Sequence, residues 1–188
     1  MRRAKVGDVY CVNLPNGCKL FQWAYDIPRH GRYIRVLDGI YQTIPSNLDM
    51  LVTRPHQYVI DFPIHKACRV GLIQFLGNYP VPEEYPFPKY QIRFRVNSSK
   101  RQLEAIHVMH SGSDSDVWQW FYVDSIDKLP EEYRGVTLLN MYLPVNWILY
   151  LFDVGFDLHH PERYPLGEDP EKTLEPYNAI IDRVLGKE

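Results

Sequence analysis

Over the first forty residues apolar side chains gather in strand-like runs, and only in the last third of the chain do they fall at helical spacing. Val9, Tyr10, Cys11, Val12 and Leu14 form a first run, Pro15, Asn16 and Gly17 supply a turn, and 18–25 returns as the second strand of a hairpin. In that strand Phe21, Trp23 and Tyr25 are expected on one face and Gln22 on the other. A bend at 28–31 leads to a third strand over 32–37. The stretches 48–53 and 58–62 read as further strands, punctuated by Pro45, Pro55 and Pro63, and the apolar run 70–76 as a buried strand. Pro80, Pro82, Pro86 and Pro88 preclude a helix and predict an extended loop.

Tyr90, Ile92, Phe94 and Val96 alternate with Gln91, Arg93 and Arg95, which gives a strand with one apolar and one basic face. A turn at 97–100 allows 103–110 to pair back on it. The run 117–123 is apolar on both faces and predicts a central strand. The period then changes. Val145, Ile148, Leu149 and Phe152 stand at i, i+3, i+4 and i+7, with Pro144 at the first turn and Gly155 as a stop, and Thr173 is placed to cap a last helix carrying Tyr177, Ile180, Ile181 and Val184. Strands followed by helices predict an α+β fold: a twisted antiparallel β-sheet or partly open small barrel, with two C-terminal helices packed on it. At 188 residues a single domain over 1–188 is expected, β-rich over 1–125 and helical over 126–188.

Composition changes this picture in two ways. Fifteen prolines and 14 tyrosines favour strands and bends over a helical bundle. The net charge of −2 hides a gradient, since 1–113 holds 15 Lys/Arg against 8 Asp/Glu, and 114–188 holds 6 against 15. The two parts therefore offer partners different electrostatic surfaces. No apolar run approaches the roughly 20 residues that cross a bilayer, and no apolar stretch or cleavage site follows the basic start. A cytoplasmic protein without a membrane partner is expected, with Cys11, Cys18 and Cys68 as reduced thiols.

The chemistry of catalysis finds little pattern. His107 with His110, and His159 with His160, lack the spacing of a zinc site, and on a strand His107 and His110 point to opposite faces, so no metal and no cofactor is expected. The three cysteines lack a nucleophile motif, and the carboxylate pairs Glu83 with Glu84, Asp114 with Asp116 and Glu131 with Glu132 fall in loops expected to be wet. No catalytic residue is assigned, and an enzyme is not expected. The isolated glycines draw no phosphate loop. Arg93, Arg95, Lys100 and Arg101, with Lys89, Arg2, Arg3, Lys5, Arg29, Arg32 and Arg35, form a possible basic stripe, whose alternative reading is a small module binding single-stranded nucleic acid through a sheet face.

The opening Lys5-Val6-Gly7-Asp8-Val9-Tyr10, the following Val12-Asn13-Leu14-Pro15-Asn16-Gly17, then Arg35-Val36-Leu37, and the stretch 69–88 with Gly71, Pro80, Pro82 and Phe87-Pro88 resemble the bacterial Immunity protein twenty-six family. The resemblance implies a non-enzymatic cytoplasmic protein of a polymorphic toxin or contact-dependent inhibition system, which binds a cognate toxin and blocks it. It brings no catalytic residue. If that toxin is a nuclease with a basic cleft, the acidic region is the expected docking surface: Asp114, Asp116, Asp124, Asp127, Glu131 and Glu132, with Trp118 and Tyr133 as anchors.

Overall fold

The computed structural model describes residues 3–27, 31–87, 90–97, 102–110, 121–123, 138–139, 144–155 and 169–187. The expected hairpin opens the fold. β1 (Asp8–Leu14) pairs antiparallel with β2 (Gly17–Ile27), Tyr10 opposite Phe21 and Leu14 opposite Gly17. β3 (Gly31–Leu37) adds to β2, and β4 (His56–Asp61) adds to β3. β5 (Gln74–Asn78) closes the other side of β1, so β5-β1-β2-β3-β4 is antiparallel throughout.

Beyond β4 the two-residue β9 (Leu138–Leu139) pairs in parallel with both β4 and β6 (Tyr90–Asn97), and β7 (Gln102–His110) and β8 (Phe121–Val123) follow. The sheet is thus open, with β5 and β8 at its ends. The chain is α+β, as the order of periods predicts.

Four helices complete the described residues. α3 (Val145–Val154) lays Ile148, Leu149, Leu151 and Phe152 on the face of the sheet carrying Tyr10, Val12, Phe21, Ile34 and Tyr58. α4 (Pro170–Val184) adds Leu174 and Tyr177 to the same core, with Ile180, Ile181 and Val184 packed at its margin. Phe21, Phe62 and Phe152 stand 5.3–5.8 Å apart at tilted angles, and Tyr58 donates a buried hydrogen bond to the Leu151 carbonyl. The opposite face is covered too, by Leu48, Leu51 and Val52 of α1 (Leu48–Val52) against Val9, Cys11, Leu20 and Leu37. Both faces of the central strands are therefore dry.

Several expectations are corrected. The stretch 48–53 is helix α1 rather than a strand. A second short helix, α2 (Ile64–Arg69), precedes β5, and the run expected as a buried strand over 70–76 becomes a turn followed by an edge strand with Phe75 exposed. Asp169, and not Thr173, caps α4: its carboxylate accepts the Lys172 N–H, Pro170 takes the first helical position, and Thr173 donates back to the Asp169 carbonyl. The strand ending at Val123 pairs with β7 alone among the described residues and is not central, and β9 places a strand inside the stretch expected to be helical. Tyr25 leaves the face of Phe21 and Trp23 because Ala24 is an extra residue against β3, and such a bulge turns the next side chain over.

Deleting the Phe152 ring from the junction of both phenylalanines is expected to cost about 3–5 kcal/mol in urea unfolding of Phe152→Ala. Val154 ends the same helix but is 53% exposed, so Val154→Ala is expected to stay within about 0.5 kcal/mol of the parent.

Candidate functional site

The most concentrated polar chemistry among the described residues lies on the sheet face away from α3 and α4. β3 alternates Ile34 and Val36 into the helix-covered core, which sends Arg35 to the other side, across from Gln22 on β2 and Val59 on β4. Arg35 is completely buried. Its Nη1 donates to Gln22 Oε1 at 3.0 Å and to the Val52 carbonyl at 3.3 Å, Nη2 donates to the Arg54 carbonyl at 3.1 Å, and Nε donates to His56 Nδ1 at 3.3 Å. The guanidinium carbon lies 4.5 Å from the centroid of the Tyr85 ring.

Among the described residues no carboxylate shares these bonds. Burial works against the charge, and Tyr25, Tyr85 and Glu84 act in its favour. A guanidinium keeps its proton in such a place, so neutral acceptors and a π-face must do the work of water. Two of those acceptors are carbonyls where the chain leaves α1, so α1 serves this charge as well as covering the core.

Arg35 also orders a strap, residues 79–87, across the sheet. Because Gln22 gives its oxygen to Arg35, its amide nitrogen is turned to the strap, donating to the Tyr79 carbonyl at 2.9 Å and more weakly to Pro80. The Tyr25 hydroxyl donates to the Tyr85 carbonyl at 2.6 Å. The Tyr85 ring meets His56 edge-on at 5.4 Å, and Phe87 packs edge-on against Tyr25 and Tyr33. The bulge at Ala24 is what brings Tyr25 to this side. Prolines suit the strap because they fix φ and have no N–H to satisfy, leaving carbonyls that the sheet's side chains can reach. At the tip a turn closed by Tyr85 N–H to the Pro82 carbonyl leaves Glu83 and Glu84 exposed.

The strap's other end is tied to the first strand. The Tyr79 N–H donates to the Gly7 carbonyl, and Asn78 Nδ2 donates to Asp8 Oδ1 at 2.8 Å. Gly7 has φ +92°, and a Cβ there would lie 2.7 Å from the Tyr79 carbonyl oxygen, so glycine is required for both reasons. Asp8, fully buried, also accepts from the Tyr10 hydroxyl and the Lys5 N–H. Lys19, 1% exposed, donates to Gln57 Oε1 at 2.7 Å and to the Gly39 carbonyl, and burial pushes its pKa down to about 8. Between α3 and α4, Tyr177 donates to Asp153 Oδ2, while Oδ1 is buried with no hydrogen-bond partner among the described residues.

The sequence candidates separate in these surroundings. Arg35 leaves the expected basic stripe, since its charge is consumed inside the fold. Arg32 lies 3.9 Å from Asp26 on the surface. Arg93 and Arg95 are two apart on β6, opposite His107 and Ala105 of β7. His107 and His110 stand on a regular stretch of strand at odd separation. Burial pushes all three thiols up, Cys11 to about 11 with help from the neighbouring Cys18, the reverse of what activates a nucleophile. Glu83 and Glu84 are wet, as expected. Asp114, Asp116, Trp118, Asp124, Asp127, Glu131, Glu132 and Tyr133, and likewise Lys100, Arg101, His159 and His160, lie outside the described residues.

Sequence reasoning placed Gln22 on the second face but gave it no role, and it missed His56, Tyr25 and Tyr85. The available signal was a polar residue flanked on both sides by apolar ones in each of two strands, Gln22 between Phe21 and Trp23 and Arg35 between Ile34 and Val36.

The thiols give a direct check. Cys11 and Cys18 are expected to react with a thiol reagent at pH 8 only as fast as the protein opens, and Cys68, half-buried, faster than either; rapid labelling of Cys11 in the native protein would contradict the packing. Comparison of the chain with protein-family models, with curated proteins and with solved structures finds no match.

Proposed function

We propose that the chain is a non-enzymatic immunity protein, acting in the bacterial cytoplasm by binding and neutralising a cognate toxin. One observation supports this reading above the others: segments that carry the resemblance, far apart in sequence, meet. Gly7 and Asp8 of the opening segment bind Asn78 and Tyr79 of the stretch 69–88, and Arg35 of the Arg35-Val36-Leu37 segment stacks on Tyr85 of that same stretch. Residues far apart in sequence thus form one framework, whose polar groups are spent on holding the scaffold. A scaffold of this kind suits a protein that works by presenting a surface. No helix among the described residues is long and apolar enough to cross a membrane.

The docking surface belongs to the same proposal and rests on the sequence. A toxin with a basic cleft, such as a nuclease, is drawn to the acidic run Asp114, Asp116, Asp124, Asp127, Glu131 and Glu132, with Trp118 and Tyr133 as anchoring aromatics. Burial of Arg35 weakens the competing nucleic-acid reading, because it takes one cation out of the proposed stripe.

Co-expression with the product of the gene immediately upstream tests the proposal. Host survival and a one-to-one complex are expected. A neighbour that is expressed and lethal alone, with neither rescue nor co-purification, contradicts it. Within a complex, changing Asp124, Asp127, Glu131 and Glu132 to Lys is expected to slow association at least about tenfold at low salt, the scale of electrostatic steering. Unchanged association kinetics would remove that surface.

A further inference from the structure

We propose that His56 is the trigger of an acid-sensitive strap: proton uptake at His56 releases residues 79–87 from the sheet. Arg35 Nε can only donate, so His56 Nδ1, 3.3 Å away, must offer a lone pair, and the imidazole is neutral in the closed state. A proton on Nδ1 converts that bond into two donors facing each other and sets a second cation beside a fully buried guanidinium.

The strain falls on the strap because the strap is held through the same pair. Tyr85 covers Arg35 with its face and stands perpendicular to the His56 ring, and Gln22 gives its oxygen to Arg35 while its nitrogen holds the Tyr79 and Pro80 carbonyls. Displacing the guanidinium loosens both holds together. Among the described residues the titratable groups acting on Arg35 are Tyr25 from β2, and Tyr85 with Glu84 from the strap itself, and Arg35 is the charge acting on His56; α1 and the turn after it give Arg35 the Val52 and Arg54 carbonyls. Among the described residues Glu84 is the only carboxylate acting on Arg35, and it sits on the exposed tip where water and salt screen it.

The sign is fixed by the environment of the ring. Burial, and then the Arg35 charge, hold His56 down at about 4, against about 6.5 for a free imidazole. The released state binds the proton more tightly, so closure is fully favoured above about pH 6.5 and is lost as pH falls through the closed-state value. Release uncovers Tyr33, Tyr85 and Phe87.

An NMR titration of the intact chain from pH 7 to 3.5 tests this. The His56 ring and the Val81, Tyr85 and Phe87 amides are expected to move with one shared midpoint, between the closed-state value of about 4 and the free-imidazole value of about 6.5, while the Tyr10 and Leu20 amides of the hairpin hold their positions. His56→Gln keeps an acceptor for Arg35 but takes no proton in this range, and its strap amides are expected to stay in place. Strap amides that move equally in the variant overturn the proposal. If the variant does not fold, the parent still decides: strap resonances static through the His56 titration, or moving at another midpoint, overturn it as well.

Discussion

A buried guanidinium must be solvated by the protein around it, and in this chain that requirement organises one face of the sheet. Arg35 draws on α1, on β2 and on β4 for acceptors, and on the strap for an aromatic face. None of these partners is adjacent to it in sequence. Removing such a charge's partners singly is costly, because each loss leaves a desolvated polar group behind. The cluster therefore specifies one arrangement of α1, β4 and the strap in place of the several that an all-apolar face would allow.

The two faces of the sheet divide the work. Against α3 and α4 the packing is aromatic and aliphatic, centred on Phe21, Phe62 and Phe152, and supplies most of the apolar burial. The other face combines a smaller apolar cluster under α1 with polar residues, Gln22 and Arg35, that fix orientation. Gly7, Asp8 and Asn78 then anchor the strap to the first strand. The proposed function gains from this division, since a rigid scaffold lowers the ordering cost of presenting a surface to a partner.

Much of this was legible in the residues. The Pro15-Asn16-Gly17 turn between two β-rich runs announces the hairpin, and the spacing of Val145, Ile148, Leu149 and Phe152 announces α3. The two short helices were not legible: 48–52 and 64–69 are too short for a 3.6-residue period to show itself, and their helicity comes from what they cover. Alternation also assumes one wet face. It assigns Arg35 to solvent, whereas α1 and the strap, distant in sequence, make that face dry. Tyr25 was misplaced by one bulge, because an inserted residue reverses the period without leaving a mark in composition. The acidic run is plain in sequence and lies outside the described residues, so its role rests on charge alone.

In this structure Arg35 holds the strap. Hydrogen exchange in Arg35→Met tests it, since the long apolar side chain fills much of the space and removes every donor. Tyr85 N–H closes the strap turn beside Arg35, and Tyr79 N–H is held independently by the Gly7 carbonyl. Exchange at Tyr85 is expected to accelerate at least about tenfold, a loss of about 1.4 kcal/mol in local opening, while Tyr79 and the β1–β2 amides keep their protection. Unchanged protection at Tyr85, in a variant that remains folded, would contradict it.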